Sequence, residues 1–332
     1  MPEVRSSRIH DPLRAFRRFA IATTAATLVL IAMGGAVRAT DSGLACPDWP
    51  ACYGQWIPPG DLNMWLEHSH RLWAGVVGLL IATLTVWAWV RHRRSPWLWR
   101  LGAVASGLVL VQAGLGAAVV LLHLRAGLVA SHLAMSWVIV ACLLAMIALT
   151  TLRAAPDTIQ GLAARVAERD VGRWAAVVAA AVLAQGVLGS QATGHGAAYV
   201  FNAVPIWLVE EGWTGTSREI LHVTHRAAGY LVAGLVIALA VAARRRSHGV
   251  PGTPRWVVVV PMIAAVLVVV QVGLGVTNVL TRATVWSALG HLTVASWLWT
   301  ATALAAALGL TSGRGRPNEP HEEPARLQTL SE

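Results

Sequence analysis

Apolar residues occur along this chain in long runs, separated by short polar or arginine-rich segments. The runs at 20–33, 76–90 and 257–270 contain no charged residue at all. A helix needs roughly 20 residues to cross the hydrocarbon core of a bilayer. The pattern therefore predicts an all-α integral membrane protein with eight transmembrane helices. Their predicted bounds are 16–36, 66–90, 100–122, 127–152, 173–190, 219–243, 256–276 and 285–310.

Composition supports a membrane protein and argues against a nucleic-acid-binding one. Of the 332 residues, 56% are hydrophobic and 13% are charged, whereas soluble domains carry about 25% charged residues. The net charge is +10, but the arginines cluster between apolar runs. Several of the 16 tryptophans lie near the ends of those runs, as in the aromatic belt of membrane proteins. Those that do so are Trp65, Trp97, Trp99, Trp174, Trp256 and Trp286.

The arginines predict the orientation in the membrane. All 26 basic residues are arginine. Because each span crosses the membrane once, the segments between spans alternate sides, and 20 of the arginines lie in segments on the same side as the N-terminus. By the positive-inside rule both termini are cytoplasmic, and the segments 37–65 and 191–218 face outward. No cleavable signal peptide is evident. We expect a multi-pass protein of the cell membrane, with a cytoplasmic segment 1–15 and a disordered cytoplasmic tail 311–332.

An internal repeat divides the eight spans into two sets of four. MWLEHSHR at Met64–Arg71 is matched by EILHVTHR at Glu219–Arg226. QAGLG from Gln112 and QVGLG from Gln271 are likewise matched, and a histidine follows each glutamine by 20 residues. Two tandem, pseudo-symmetric four-helix bundles of the same orientation are therefore predicted. The units are 16–152 and 173–310, joined by a cytoplasmic linker at 153–172.

Four histidines recur at matched positions, each a few residues inside the outward end of an even-numbered span. They are His70, His132, His225 and His291. Two imidazoles at one depth on neighbouring helices can ligate a haem iron from both faces of the porphyrin. The alternative is that each histidine contacts lipid headgroups. Two histidines in each repeat, at one register, favour two haem sites.

A carboxylate distinguishes the first unit from the second. Glu67 lies three residues before His70 on the same helix face, and the repeat places His222 at the matched position. An ionisable residue inside a span indicates function unless it is a helix cap. The asymmetry predicts one reactive site and one electron-transfer site. Glu67 is thus the candidate catalytic residue.

Arg71 and Arg226 directly follow the first histidine of each unit. They are candidate partners for haem propionates, or alternatively arginines that extend to the membrane surface.

Cysteine pairing and one further histidine complete the candidate residues. Cys46 and Cys52 share the first outward segment, where a disulfide is expected, either as a structural link or as a redox-active pair. Cys142 lies in an apolar run and is predicted to pack in the protein interior, and His195 is predicted to be a surface residue without a repeat partner.

These motifs resemble the haem A synthase family over about residues 16–310. The resemblance is carried by Gly43-Leu44, by CPDWP at 46–50 followed by Cys52, Gly54 and Pro58, and by ExxHR at 67–71 followed by Ala74-Gly75. The combination of CPDWP with ExxHR is specific, whereas the second half alone would be weak.

The resemblance implies a reaction and its cofactors. Members of the family oxidise the C8 methyl of haem O to a formyl group, by two hydroxylations and loss of water. It implies that His70 and His132 hold the substrate haem O, and that His225 and His291 hold a haem b cofactor. It also implies that Glu67 is essential to catalysis. Cys46 and Cys52 match the loop cysteines of one subgroup.

The resemblance also implies partners: a haem O synthase (a farnesyltransferase), membrane lipid, an unidentified electron acceptor and a homo-oligomer, but no nucleic acid. The long 191–218 segment, with Glu210 and Glu211 and no cysteine, departs from the simplest pattern. The alternative functions are a dihaem b-type electron-transfer protein of the membrane and a transporter.

Overall fold

Long helices account for nearly all of the described chain. The computed structural model describes residues 11, 13–58, 60–151, 158–201 and 214–312. Within these ranges, eight helices are long and apolar enough to cross a membrane, as predicted. They are α1 Arg14–Ala39, α2 Leu62–Arg91, α3 Pro96–Leu121, α4 Ala126–Thr151, α5 Ile159–Gly194, α6 Ser217–Ser247, α7 Trp256–Leu280 and α8 Val285–Thr311, with a 3₁₀ turn at Ala197–Tyr199.

Side-chain caps define where α2 and α6 begin. The Asp61 carboxylate accepts hydrogen bonds from the backbone N–H groups of Asn63 and Met64, which would otherwise lack partners. Thr216 and Glu219 form a capping box at the start of α6. These two starts set the register of the predicted haem ligands. His70 and His225 each follow the first residue of their helix by eight positions.

Helix α5 begins well before the predicted start at residue 173. The segment 160–172 contains arginine and acidic residues, so its hydropathy does not indicate a span. It is nevertheless helical because its apolar residues share one face, on which Ala164, Ala167 and Val171 are buried. Glu168 on the same segment accepts a hydrogen bond from the Ser312 hydroxyl at the end of α8. The predicted linker is therefore largely the first part of α5.

The helices pack in two sets of four. Helix α1 contacts α2 and α4, and α3 contacts α2 and α4; in the second set α5 contacts α6 and α8, and α7 contacts α6 and α8. The sets meet where α4 contacts α5 and α8, and where α1 contacts α8. Two four-helix bundles would have these contacts. Their pseudo-symmetry stays a prediction.

Two tryptophans lie at the α4–α8 contact. The rings of Trp137 and Trp299 stack with centroids 5.5 Å apart, and both residues are buried. The indole N–H of Trp137 donates to the Ser296 hydroxyl over 3.3 Å. Trp297, which follows Ser296 as Trp137 follows Ser136, is 48% exposed. The contact between the two sets is thus not symmetric, because Trp137 is buried in it whereas its repeat counterpart Trp297 is not.

Predictions about the chain ends fall largely outside the described residues. The segment 1–10, residues 153–157 of the predicted linker, the acidic pair Glu210 and Glu211, and the tail after 312 lie outside the described residues.

Candidate functional site

The four predicted haem ligands lie near the end of the molecule at which α2, α4, α6 and α8 begin, here called the histidine end. His132 and His291 follow the first residues of α4 and α8 by six positions each. Each histidine ring packs on a glycine of the preceding helix. The pairs are Gly34 with His70, Gly116 with His132, Gly189 with His225 and Gly275 with His291.

Glycine is required at these contacts because the rings approach the helix backbone closely. A Cβ atom on Gly34 would lie 3.0 Å from Cε1 of His70, and one on Gly189 would lie 2.7 Å from Cε1 of His225. Both distances are shorter than ordinary van der Waals contact. The glycines therefore fix how far each imidazole can retract toward its neighbouring helix.

Charge interactions link the histidines that were predicted to pair. His70 lies within electrostatic range of His132, and His225 within range of His291. All four line one cavity of about 800 Å³, which is within the size range of cofactor sites. Among the described residues, the Nδ1 atoms of His70, His132 and His291 are buried without a hydrogen-bond partner. Unpaired buried polar atoms are costly, so these rings are suited to a ligand.

Three glutamines hold the helices that carry the histidines. Gln112 donates from Nε2 to the carbonyl of His132 over 2.9 Å. Gln185 donates to the carbonyl of His225 over 2.8 Å, and its Nε2 lies 3.0 Å from Nδ1 of the same histidine. Gln271 lies 3.2 Å from Nε2 of His291. The sequence analysis did not single out Gln185.

A sequence signal for Gln185 does exist. The segment 185–189 reads QGVLG, which shares glutamine, leucine and glycine with QAGLG and QVGLG. The last glycine of each segment is the one that contacts a histidine. Helix α1 has Leu30 in place of glutamine four residues before Gly34, so this pattern recurs three times rather than four.

Glu67 is buried beside the first histidine pair and joins α2 to the preceding loop. The residue is 3% exposed and lines the cavity. One carboxylate oxygen forms an ion pair with Arg71, one turn further along α2. The other accepts the backbone N–H of Cys46 over 2.8 Å. Glu67 is therefore not a cap of its own helix, which begins five residues earlier.

Arg71 fastens the 40–61 loop to α2. Besides its ion pair with Glu67, it donates to the carbonyls of Asp48 and Ala51, each over 2.6 Å, and to that of Cys46 over 3.1 Å. These contacts give Arg71 a positioning role that the sequence did not indicate. A contact with a haem propionate stays a prediction, for Arg71 as for Arg226.

The predicted disulfide between Cys46 and Cys52 is confirmed. Asp48, between these cysteines, accepts the backbone N–H groups of Tyr53 over 2.6 Å and Gly54 over 2.8 Å. These bonds, the one from Gly54 first, lower the pKa of Asp48 because they favour its ionised form. The loop is thus stabilised by bonds between its own residues.

His68 is a further loop contact that the sequence analysis missed. It is fully buried, and its Nε2 lies 2.7 Å from the carbonyl of Trp56. His68 therefore holds the far part of the loop, beyond the disulfide. Nothing in the repeat signalled this role, because the matched residue in the second unit is Val223.

In the second unit His222 takes the place of Glu67 and also contacts the preceding segment. Its Nδ1 lies 2.6 Å from the carbonyl of Ala197, and its Nε2 lies 3.4 Å from Nη1 of Arg226. Phe201 packs edge-on against the same ring. His195 is exposed, as expected of a surface residue, and Cys142 is buried.

The chain matches the model of the COX15-CtaA family, described as cytochrome oxidase assembly protein, over residues 17–64 and 61–303. These ranges include Glu67 and all four predicted ligands.

Several proteins named heme A synthase are similar to this chain. One from Bacillus licheniformis is 28% identical over 283 residues, which cover 84% of this chain and 90% of that protein. One from Halalkalibacterium halodurans is 27% identical over 297 residues, covering 86% and 94%. One from an Exiguobacterium species is 34% identical over 140 residues, which span 41% of this chain and 45% of that relative.

Proposed function

The chain belongs to the COX15-CtaA family of cytochrome oxidase assembly proteins, and from that premise we propose that it is a haem A synthase. Near-full-length similarity to proteins named heme A synthase supports this function. The structural observation that carries it is a buried glutamate beside one of two histidine pairs around a shared cavity. Two equivalent electron-transfer haems would need no such carboxylate.

The proposed reaction oxidises the C8 methyl group of haem O to a formyl group. Two hydroxylations of that carbon, each with two electrons taken up by an external electron acceptor, give a geminal diol, which loses water. The enzyme is thus an oxidoreductase acting on a CH group. The unit 16–152 binds the substrate, and the unit 173–310 binds a haem b cofactor.

The residues present fit a haem in each unit. His70 and His132 would hold haem O, and His225 and His291 would hold haem b; all four rings line the cavity. The Nδ1 atoms of His70, His132 and His291 lack hydrogen-bond partners, and all four rings pack on a glycine, which supports a ligand at these rings. Haem b, when bound, supplies one-electron transfer. Gln185 and Gln271 position the histidines of that unit.

Glu67 would act on the substrate carbon. Each carboxylate oxygen offers two lone pairs, and the bonds with Arg71 and Cys46 use one on each oxygen. The remaining lone pairs can accept a proton or orient an attacking water. Arg71, held by the loop carbonyls, keeps the carboxylate in place.

The test is Glu67→Gln, with haem extracted from purified protein and separated by chromatography. The amide keeps the size of the side chain but cannot take up the proton. We expect haem O and haem b to stay bound while formyl formation falls about 10²–10⁴-fold.

Glu219→Gln is the matched control, since Glu219 is a buried glutamate at the start of α6 whose capping role glutamine can fill. It should make haem A at the wild-type rate. Haem A production at that rate by Glu67→Gln would show that the assigned role is wrong.

The location that goes with this function is the cell membrane, with both termini cytoplasmic and the histidine end outward. A haem O synthase (a farnesyltransferase) would supply the substrate, and the protein is proposed to form a homo-oligomer. Cysteines introduced at Gly249 and Ala283, in turns at opposite ends of the helices, test the orientation. In whole cells an impermeant maleimide should label only the one at Ala283.

A further inference from the structure

The cavity opens sideways between α2 and α3, on the face that these helices turn to lipid. Leu72 and Gly75 on α2 and Leu110 on α3 line the cavity and are also exposed. Leu72 is 47% exposed and Leu110 is 75% exposed. A residue that lines a cavity and is open to the surroundings marks a mouth. These three residues are here called the side opening.

The side opening lies just beyond the first histidine pair, away from the histidine end. Gly75 follows His70 by five residues, or about 7.5 Å along the helix axis. Further along, α2 and α3 meet again, since a Cβ on Gly78 would lie 3.5 Å from Cγ1 of Val109. The opening is therefore a bounded apolar gap that leads from the first histidine pair toward lipid.

In the second unit a tyrosine occupies the position matched to Gly75. The repeat matches Leu72 with Ala227 and Leu110 with Val269, and both of these are exposed without lining the cavity. Gly75 is matched by Tyr230, which lines the cavity and is 42% exposed, so a bulky side chain stands where the first unit has none. A Cβ on Gly75 would meet nothing within 4 Å, so the space beside it is open. The first unit thus has a glycine, Gly75, at the position where the second unit has a tyrosine, Tyr230.

Resting on the function proposed above, we propose that the side opening holds the isoprenoid chain of haem O, and that Gly75 and Tyr230 determine which unit accepts a haem with that chain. Haem O differs from haem b by a long apolar substituent in place of a vinyl group. The apolar side chains of Leu72 and Leu110 give such a chain an apolar environment next to the lipid. The gap lets the macrocycle stay between the histidines while the chain lies along α2 and α3.

The experiment compares two ligands on the Gly75→Tyr variant. Protein purified from cells that make no haem O is titrated with haem O and, separately, with haem b, and binding is followed by the change in the haem spectrum. The tyrosine should raise the Kd for haem O at least about tenfold. The Kd for haem b at the first histidine pair should stay within about twofold of wild type, because haem b has no isoprenoid chain for the tyrosine to exclude.

Two further variants keep the test decisive. Leu110→Trp narrows the gap from α3 and should have the same selective effect, even if Gly75→Tyr fails to fold. Gly107→Tyr is the control, because Gly107 is exposed on α3, has open space at its Cβ position and does not line the cavity. It should change neither affinity.

The outcomes separate the two proposals. Equal weakening of both haems, or no weakening of haem O, in Gly75→Tyr and Leu110→Trp would overturn the chain site alone. Wild-type protein from haem O-producing cells that contains neither haem O nor haem A would overturn the proposed function, and the chain site with it.

Discussion

Glu67 and His222 occupy the same repeat position and do the same structural work with opposite hydrogen-bonding roles. Glu67 faces the N–H of Cys46, so it must be an acceptor, whereas His222 faces the carbonyl of Ala197, so it must donate. Each also lies beside an arginine four residues later. The two units thus differ in this residue, glutamate or histidine, in line with the backbone group that the preceding segment turns toward it, an N–H in the first unit and a carbonyl in the second.

His222→Leu should therefore destabilise the protein. It removes the imidazole donor from the buried carbonyl of Ala197, which then keeps only the N–H of Val200, and loss of such a hydrogen bond costs about 0.5–1.5 kcal/mol. His222→Gln keeps an N–H donor and should unfold close to the wild-type temperature. Thermal unfolding in detergent compares the three proteins, and equal stability of the Leu and Gln variants would contradict the role given to His222.

At the scale of elements, the loop between α1 and α2 is fastened to α2 at several points. Arg71 and His68 bind its carbonyls, Glu67 binds one of its N–H groups, and the disulfide closes its centre. The sequence predicted the disulfide but not the fastening, because these bonds join side chains to backbone groups. Backbone groups leave no residue-specific signal in a sequence.

The loop should loosen in acid because of Asp48. Its pKa is lowered in the folded protein, so its bonds to Tyr53 and Gly54 contribute stability above the unfolded pKa, near pH 4. That contribution is lost as the pH falls through the lower folded value. Amide-exchange protection of residues 46–56, corrected for intrinsic rates, should be constant from pH 7 to about 4 and decline below.

Asp48→Asn should remove this dependence. Asp41→Asn is the control, because the Asp41 side chain is 94% exposed. If protection in wild type did not change below about pH 4, Asp48 would not brace the loop.

At the scale of the whole molecule, much of the architecture follows from the sequence. Apolar runs predicted eight spans, and the structure has eight helices of that kind among its described residues. The pairing of the histidines around haem stays a prediction. The start of α5 was missed because its charged first turns are helical through packing on α8 rather than through hydropathy. The stacking of Trp137 on Trp299 was missed because contacts between the two sets of helices do not follow the repeat.

The most direct test of the account is the haem content of two matched variants, His132→Ala and His291→Ala, purified from cells that make both haem b and haem O. The two residues hold equivalent positions on α4 and α8. The account predicts that His132→Ala loses haem O and haem A but keeps haem b, whereas His291→Ala loses haem b. Unchanged haem content in both variants, or loss of the same haem from both, would contradict two separate histidine-paired sites.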